Sequence, residues 1–192
     1  MLSNLNSQQQ KAVLAVDGPV MVFAGAGSGK TRALTYRVAY MIDKAKIAPG
    51  NILAITFTNK ATNEMRERLL KLIGPYSYDV TISTFHSLCA RILRREISVL
   101  GYKSSFTILD EEEQLKIINE VIKEANYDRK QYPGKRIQKT LNYHKCFGTK
   151  PSDPVEREIF QLYEKKMKAE NLLDFEDLLL KVKEIFSDYP EI

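Results

Sequence analysis

Short apolar runs alternate with helical patterns over the first 108 residues of the chain. The runs at residues 20–24, 52–57, 80–84 and 106–109 are rich in β-branched and aromatic residues, which predicts four buried strands. Amphipathic helical patterns follow the first three runs. In the helix after the second run, the predicted apolar side carries Met65, Leu69, Leu70 and Ile73. Strands that alternate with helices predict a parallel α/β sheet covered on both faces.

The pattern changes at Asp110. Helical periodicity recurs near residues 110–125, 135–147, 152–170 and 175–187, with no convincing strand among them. Asp110 followed by Glu113 is a capping-box signal for the first of these helices. We therefore predict an α/β domain over residues 1–108 and a smaller all-α domain over residues 109–192.

The first apolar run leads directly into a glycine-rich turn and then a helical pattern. This order of strand, turn and helix is the context that a phosphate-binding P-loop requires. The strict motif begins with Gly where this chain has Ala24. Lys30 would reach the β- and γ-phosphates, and the Thr31 hydroxyl would ligate Mg²⁺. The predicted nucleotide-binding residues are Ala24, Gly25, Ala26, Gly27, Ser28, Gly29, Lys30 and Thr31.

Polar and aromatic side chains also follow the second and third predicted strands. In parallel sheets, ligands bind beyond the carboxyl ends of the strands. We therefore expect two further segments to lie on the same rim as the P-loop. They comprise Thr56, Phe57, Thr58 and Asn59 in one segment, and Thr84, Phe85, His86 and Ser87 in the other.

Charge is unevenly distributed between the two predicted domains. Residues 1–108 contain 14 lysines and arginines against 6 acidic residues, whereas residues 109–192 contain 15 against 18. A basic N-terminal half fits a polyanionic partner, although a merely solvated basic surface explains the charge equally well. Residues 129–150 carry seven basic residues and no acidic one, interleaved with aromatic residues. That segment suits single-stranded nucleic acid or, as the alternative, a solvated helix face whose aromatics are core.

Several classes of protein are disfavoured by composition. The two cysteines, Cys89 and Cys146, have no CxxC spacing, which argues against a disulfide framework or a zinc site. The chain has no apolar run approaching the ~20 residues that span a bilayer and no signal-peptide pattern at its start. We expect a cytoplasmic protein without a membrane partner.

Four motifs, in order and with their spacing, resemble one family. These are Leu5-Asn6-x-x-Gln9, then residues 24–32, then the segment from Ile55 to Arg68, and then Ser83-Thr-Phe-His-Ser87. They resemble the N-terminal motifs of UvrD/Rep/PcrA-type superfamily 1 DNA helicases, which translocate 3′ to 5′ along single-stranded DNA by hydrolysing ATP. Residues 173–178 also resemble the segment before the Walker B strand of that family. The resemblance implies a RecA-like P-loop domain, incomplete here, followed by a helical subdomain.

The resemblance also implies roles for individual residues. Gln9 would read adenine, although the residues alone are equally consistent with a helix-capping glutamine, and Arg32 would lie near the nucleotide. The DNA-lining positions would be Thr56, Phe57, Thr58, Asn59, Thr84, Phe85 and His86. The implied cofactors are ATP and Mg²⁺. The implied partners are single-stranded DNA, DNA junctions and the remainder of a longer helicase chain.

The same resemblance places the Walker B carboxylates and the catalytic arginines after Ile192. We therefore expect an N-terminal fragment that folds, tends to self-associate through an open sheet edge, and is not a competent ATPase by itself. Two other interpretations stay open at this point. One is a different P-loop phosphotransferase, and the other is a non-catalytic module that binds nucleotide or DNA.

Overall fold

A computed structural model describes residues 2–192, which divide into two compact units between Phe85 and His86. The boundary lies earlier than the one predicted at residue 109, because the helix that begins at Phe85 packs its apolar side into the second unit. The first unit contains helices α1 (Ser7–Leu14), α2 (Lys30–Asp43) and α3 (Asn59–Ile73) and strands β1 (Leu53–Thr56) and β2 (Thr81–Thr84).

The second unit is mostly helical. Its elements are α4 (Phe85–Glu96, whose first residue closes the first unit), β3 (Thr107–Ile108), α5 (Glu111–Glu124), α6 (Gly134–Phe147), α7 (Pro154–Ala169), β4 (Leu172–Leu173) and α8 (Phe175–Asp188). Within the described residues, no helix is both long enough and apolar enough to cross a membrane.

Strands β1 and β2 run parallel and form the sheet of the first unit. Their register places Thr56 opposite Thr84, so the carboxyl ends of the two strands are adjacent. Helix α3 packs on this ladder through Met65 and Leu69, both of which are fully buried, whereas Leu70 is partly exposed. The core of this unit is formed by Val38, Ala39, Ile52, Ala54, Met65, Leu69, Val80 and Ile82.

The predicted buried strand over residues 20–24 is wrong. Within residues 2–192 this segment pairs with no other strand, and β1 and β2 pair only with each other. Met21 is 79% exposed and Phe23 is 90% exposed. An apolar, β-branched run becomes a buried strand only when a neighbouring strand pairs with its backbone and another layer covers its side chains. The described residues supply neither.

The fourth predicted strand forms, but it belongs to the other unit. Strand β3 pairs in parallel with β4, which lies in the region predicted to be free of strands. The α5–α7 segment provides the long crossover that parallel pairing requires. Two-residue strands give too short an alternation to stand out from the helical pattern around them. Residues 2–192 therefore form a mixed α/β fold with two small parallel ladders.

The buried side chains of the second unit form two clusters. One joins α5, α6 and α7 through ten residues, including Ile118, Leu141 and Tyr163. The other joins α4 and α8 around Leu93, Phe106 and other apolar residues. Helix α5 begins with the predicted capping box, since Asp110 accepts hydrogen bonds from the backbone N–H of Glu112 and Glu113.

A charged network crosses the interior of the second unit. The Lys145 ammonium donates to Asp174 Oδ2 at 2.7 Å and to Asp177 Oδ1 at 2.8 Å, and it pairs with Glu164 Oε1 at 2.7 Å. The Tyr163 hydroxyl also donates to Asp174 Oδ2 at 2.9 Å. The two aspartates are almost fully buried and form the capping box of α8. One lysine thus faces three carboxylates.

The two aspartates respond differently to this surplus of negative charge. Asp174 accepts from Lys145, Tyr163, Gln114 and the Asp177 backbone, and these contacts outweigh its burial and lower its pKa. Burial raises the pKa of Asp177 to about 7, and the neighbouring carboxylates add to this effect while Lys145 opposes it. Asp177 is therefore the carboxyl that holds a proton at mildly acidic pH.

We expect the free energy of unfolding to fall as the pH rises from about 5 to 8. Folded Asp177 keeps its proton until the pH passes about 7, whereas the unfolded chain, with an aspartate pKa of 3.8, has already lost it by about pH 5, so folding becomes less favourable as the pH rises. The loss is expected to be about 1–3 kcal/mol, measured by urea unfolding with far-ultraviolet circular dichroism. Asp177→Asn should flatten the dependence and Asp188→Asn, an exposed aspartate on the same helix, should not. An unchanged slope in Asp177→Asn would contradict the assignment.

Candidate functional site

The glycine-rich turn ends at the N-terminus of α2. Gly29 is the N-cap residue of this helix, with a φ of +86°, and Gly27 has a φ of +74°. Both angles lie in the left-handed region that glycine adopts without steric cost. No side chain caps the helix, so its first N–H groups are available to an anion at the positive end of the helix dipole. The Ser28 hydroxyl donates to the Gly25 carbonyl at 2.7 Å and closes the turn.

Lys30 is the first residue of α2, and its side chain folds back over the turn. Its ammonium donates to the carbonyl oxygens of Ala24 and Gly25, both at 2.8 Å. These acceptors are neutral, and the side chain is exposed, so an anion could replace them at little cost. Thr31 is half-buried, and its carbonyl accepts from the Thr35 hydroxyl at 2.7 Å. The arrangement therefore presents the exposed Lys30 ammonium beside a row of N–H groups.

Gln9 connects α1 to this turn. Its Nε2 donates to the Ser28 carbonyl at 3.0 Å, and its Oε1 accepts from the Asn6 backbone N–H at 3.1 Å. Asn6 and Gln9 thus form a capping box at the start of α1. A Cβ at Gly29 would lie 2.6 Å from Gln9 Nε2, so only glycine fits there without displacing the amide. The Gln9 side chain therefore both caps α1 and contacts the glycine-rich turn.

Arg32 also points back toward the N-terminal segment. Its Nη2 donates to the Asn4 carbonyl at 2.7 Å, and its guanidinium lies 5.8 Å from the Tyr36 ring centroid. Gln9, Ser28, Lys30 and Arg32 thus lie around the start of α2. The segment over residues 20–24 does not join the sheet, so strand pairing does not place the turn on the same rim as β1 and β2.

In the first unit, polar residues of the predicted segments lie at the adjacent carboxyl ends of β1 and β2, where Thr56 is opposite Thr84. The side chain of Thr56 lies 2.6 Å from the Thr62 hydroxyl, and Thr58 caps α3 by accepting from the Ala61 N–H. Phe57 stands between them and is 94% exposed. Asn59 is exposed as well, whereas Thr84 is buried. A phenyl ring this exposed contributes little to the core, which makes it a candidate for contact with a ligand.

The family model of the UvrD/REP helicase N-terminal domain matches residues 5–192. The chain belongs to this family. It is 44% identical to the ATP-dependent DNA helicase PcrA of Bacillus subtilis, and the match covers 100% of this chain and 27% of that protein. Two PcrA helicases, from Staphylococcus aureus and Staphylococcus epidermidis, are each 37% identical over 100% of this chain and 28% of their own length. The chain thus spans about a quarter of the length of the curated relatives it matches.

In this UvrD/REP-type chain, Phe175 was not assigned a functional role from the sequence. In the second unit, His86 packs edge-on against Phe175, with ring centroids 5.4 Å apart. Phe175 is the first residue of α8 and is 48% exposed. The sequence did contain one signal for Phe175. It is an aromatic residue directly after the capping residue Asp174, and a side chain at that position of a helix is not expected to be buried. Phe85, also predicted to line DNA, is 56% exposed.

The side chains that could act as metal ligands determine how Mg²⁺ would be held. Among residues 2–192, no three His, Cys, Asp or Glu side chains stand close enough together to form a metal site. Mg²⁺ is usually held by one or two protein oxygens together with phosphates and waters. The Thr31 hydroxyl at the head of α2 fits that kind of ligand.

Proposed function

We propose that this chain is the ATP- and single-stranded-DNA-binding N-terminal part of a 3′–5′ DNA helicase, which couples ATP hydrolysis to translocation and unwinding. The observation that carries the proposal is the uncapped α2 N-terminus with Lys30 folded over its glycine turn, in a chain of the UvrD/REP family. The relatives named as ATP-dependent DNA helicases support the same interpretation.

The nucleotide is proposed to bind with its phosphates over residues 24–31. Lys30 would exchange two neutral carbonyl acceptors for charged phosphate oxygens, which form stronger hydrogen bonds. The Thr31 hydroxyl would hold Mg²⁺, which would neutralise charge on the β- and γ-phosphates. Gln9 would turn its amide to the adenine edge, and Arg32 would add positive charge beside the phosphates.

We expect these 192 residues to bind ATP without sustained hydrolysis. Among the described residues, the Lys30 ammonium donates to the carbonyls of Ala24 and Gly25 and forms no ion pair with a carboxylate. Phosphoryl transfer to water also needs a group that orients the attacking water. The exposed apolar side chains of residues 20–23 are proposed to pack against the remainder of a longer helicase chain. The proposal also places the protein in the cytoplasm, acting on DNA junctions.

Single-stranded DNA is proposed to contact aromatic and polar residues in each unit. In the first unit the residues are Thr56, Phe57, Thr58, Asn59, Thr84 and Phe85. In the second unit they are His86 and Phe175. Phe57 would stack on a base, because its ring is free on both faces, and Asn59 would donate to phosphate or base oxygens.

Phe57→Ala is expected to weaken binding of a fluorescein-labelled oligothymidylate about tenfold, since one base–aromatic stack contributes about 1–3 kcal/mol. Fluorescence anisotropy would measure the dissociation constant at fixed salt concentration. Phe186→Ala removes another exposed phenyl, 57% exposed on α8, and should leave the affinity within about twofold. Equal losses in both variants, or none in either, would contradict the proposed DNA contact.

A further inference from the structure

Helix α6 presents one stripe of exposed side chains with a spacing of four residues. The stripe consists of Lys135, Lys139, Tyr143 and Phe147. Residues four apart on a helix lie on the same face, and twelve residues at 1.5 Å each make the stripe about 18 Å long. The buried face of the same helix carries Ile137 and Leu141, so these four residues are not needed for the core.

The two aromatic rings of the stripe form a joined surface. Their centroids are 4.7 Å apart with an interplanar angle of 43°, and Tyr143 and Phe147 are 56% and 67% exposed. His144 packs against the Tyr143 ring. Its ring contacts Tyr143 edge-on at 5.4 Å, and its other neighbours are the Thr149 hydroxyl and Phe160. The rings are therefore held in place and still open to a flat ligand.

The surroundings of the rings are positively charged. Lys135 and Lys139 form no ion pair with any of the described residues, in contrast to Arg136, which pairs with Glu156 at 2.9 Å, and the buried Lys145. Residues 129–150 contain no acidic side chain that could neutralise the two lysines from within the segment. Free cations next to exposed aromatics attract a ligand that carries both negative charge and flat rings.

We propose that this stripe of α6 is an additional contact surface for single-stranded DNA. Bases would stack on Tyr143 and Phe147, and phosphates would pair with Lys135 and Lys139. A protein partner fits less well, because two aromatic rings flanked by unpaired lysines lack the wider apolar area of a protein interface. The choice of DNA rests on the proposed function, whereas the stacking surface is observed independently of it.

The chain contains no tryptophan, which allows a local fluorescent reporter at one position at a time. Phe147→Trp reports on the stripe, Phe57→Trp reports on the DNA contact proposed above, and Tyr76→Trp, at a residue 68% exposed in the first unit, is the control. Titration with oligothymidylate should quench the tryptophans at positions 57 and 147 with saturation and leave the one at position 76 unchanged.

Affinity and salt dependence give a second measurement. The double variant Tyr143→Ala/Phe147→Ala should bind oligothymidylate at least about tenfold more weakly than the parent, and Tyr143→Phe should retain the parent affinity. The control Tyr76→Ala/Tyr78→Ala, which also removes two exposed rings, should stay within about twofold. Lys135→Gln/Lys139→Gln should reduce the slope of log affinity against log salt by about 1.4, because each phosphate that a lysine no longer neutralises lowers the slope by about 0.7.

Each outcome decides between the two DNA surfaces. Quenching at position 57 but not at 147 overturns the α6 surface and leaves the proposed function standing. Quenching at 147 but not at 57 supports the α6 surface and counts against the DNA contact of the proposed function. No quenching at either position overturns both. An unchanged DNA affinity together with loss of self-association in the Tyr143→Ala/Phe147→Ala variant would also overturn the proposal, since the surface would then bind a second copy of the chain.

Discussion

Replacing Lys145 with methionine is expected to lower the free energy of unfolding by about 3–5 kcal/mol. The substitution keeps most of the side-chain volume but removes the cation that faces Asp174, Asp177 and Glu164. The two aspartates are almost fully buried, so water cannot replace the missing partner. Removal of one member of a buried ion cluster leaves an uncompensated charge, which is far more costly than the loss of a surface pair.

The protonation of Asp177 makes this effect depend on pH. At about pH 5 a carboxyl with a pKa of about 7 is protonated, so one of the two buried aspartates is already neutral. We therefore expect the penalty of Lys145→Met to be larger at about pH 8 than at about pH 5. Urea unfolding followed by far-ultraviolet circular dichroism at both pH values would measure it.

Lys139→Met is the matched control, because it replaces an exposed lysine on the same helix that forms no ion pair with the described residues. Its free energy of unfolding should remain within about 0.5 kcal/mol of the parent. Similar losses in the two variants would show that the methionine, rather than the buried charge, causes the effect.

Lys30→Ala is expected to weaken binding of an ATP analogue at least about 100-fold. In the free protein, the Lys30 ammonium spans the turn that precedes α2, and in the complex it would form charge-assisted hydrogen bonds to phosphate. Two such bonds at about 1.5–3 kcal/mol each account for a change of this size. Because Lys30 is exposed, the fold should be unaffected.

Lys44→Ala serves as the control for that measurement. Lys44 follows the other end of α2, where it pairs with Asp43 at 3.2 Å and is 63% exposed. Its removal changes the net charge by the same amount, so it should leave nucleotide affinity within about twofold. Equal weakening in both variants would mean that Lys30 acts through general charge rather than through contact with phosphate.

Local signals in the sequence predict local structure well in this chain. The capping residue Asp110 satisfies N–H groups of the helix that it begins, and the parallel pairing of β1 and β2 places Thr56 opposite Thr84. Each of these features depends on a few consecutive residues or on the direction of a parallel strand pair, and both can be read from spacing.

Features that depend on distant partners could not be predicted in this way. The apolar run at residues 20–24 has the composition of a strand, but the ladder partner it needs is not found among the described residues. Lys145 lies in a basic segment that suits either single-stranded nucleic acid or a solvated face, yet its partners Asp174 and Asp177 are 29 and 32 residues away and draw it inside. Tyr132, in the same segment, is core, whereas Tyr143 and Phe147 are exposed.

The candidate site shows the same division. The glycine-rich turn and the position of Lys30 at the start of α2 could be predicted from the order of the residues, because consecutive residues determine this local geometry. Phe175 could not be identified in the same way, since its contact with His86 joins two elements far apart in the chain. The double role of Gln9 is also visible only in three dimensions, because its bond to Ser28 spans 19 residues.

Whether residues 24–31 bind the phosphates of ATP can be decided by a competition titration. A fluorescent ATP analogue is titrated into the 192-residue chain with and without Mg²⁺ and then displaced with ATP, ADP or AMP. We predict saturable, Mg²⁺-dependent binding that ATP and ADP displace and AMP does not, because AMP lacks the β- and γ-phosphates that Lys30 would contact. Absence of saturable binding, or displacement by AMP as effective as by ATP, would contradict the claim.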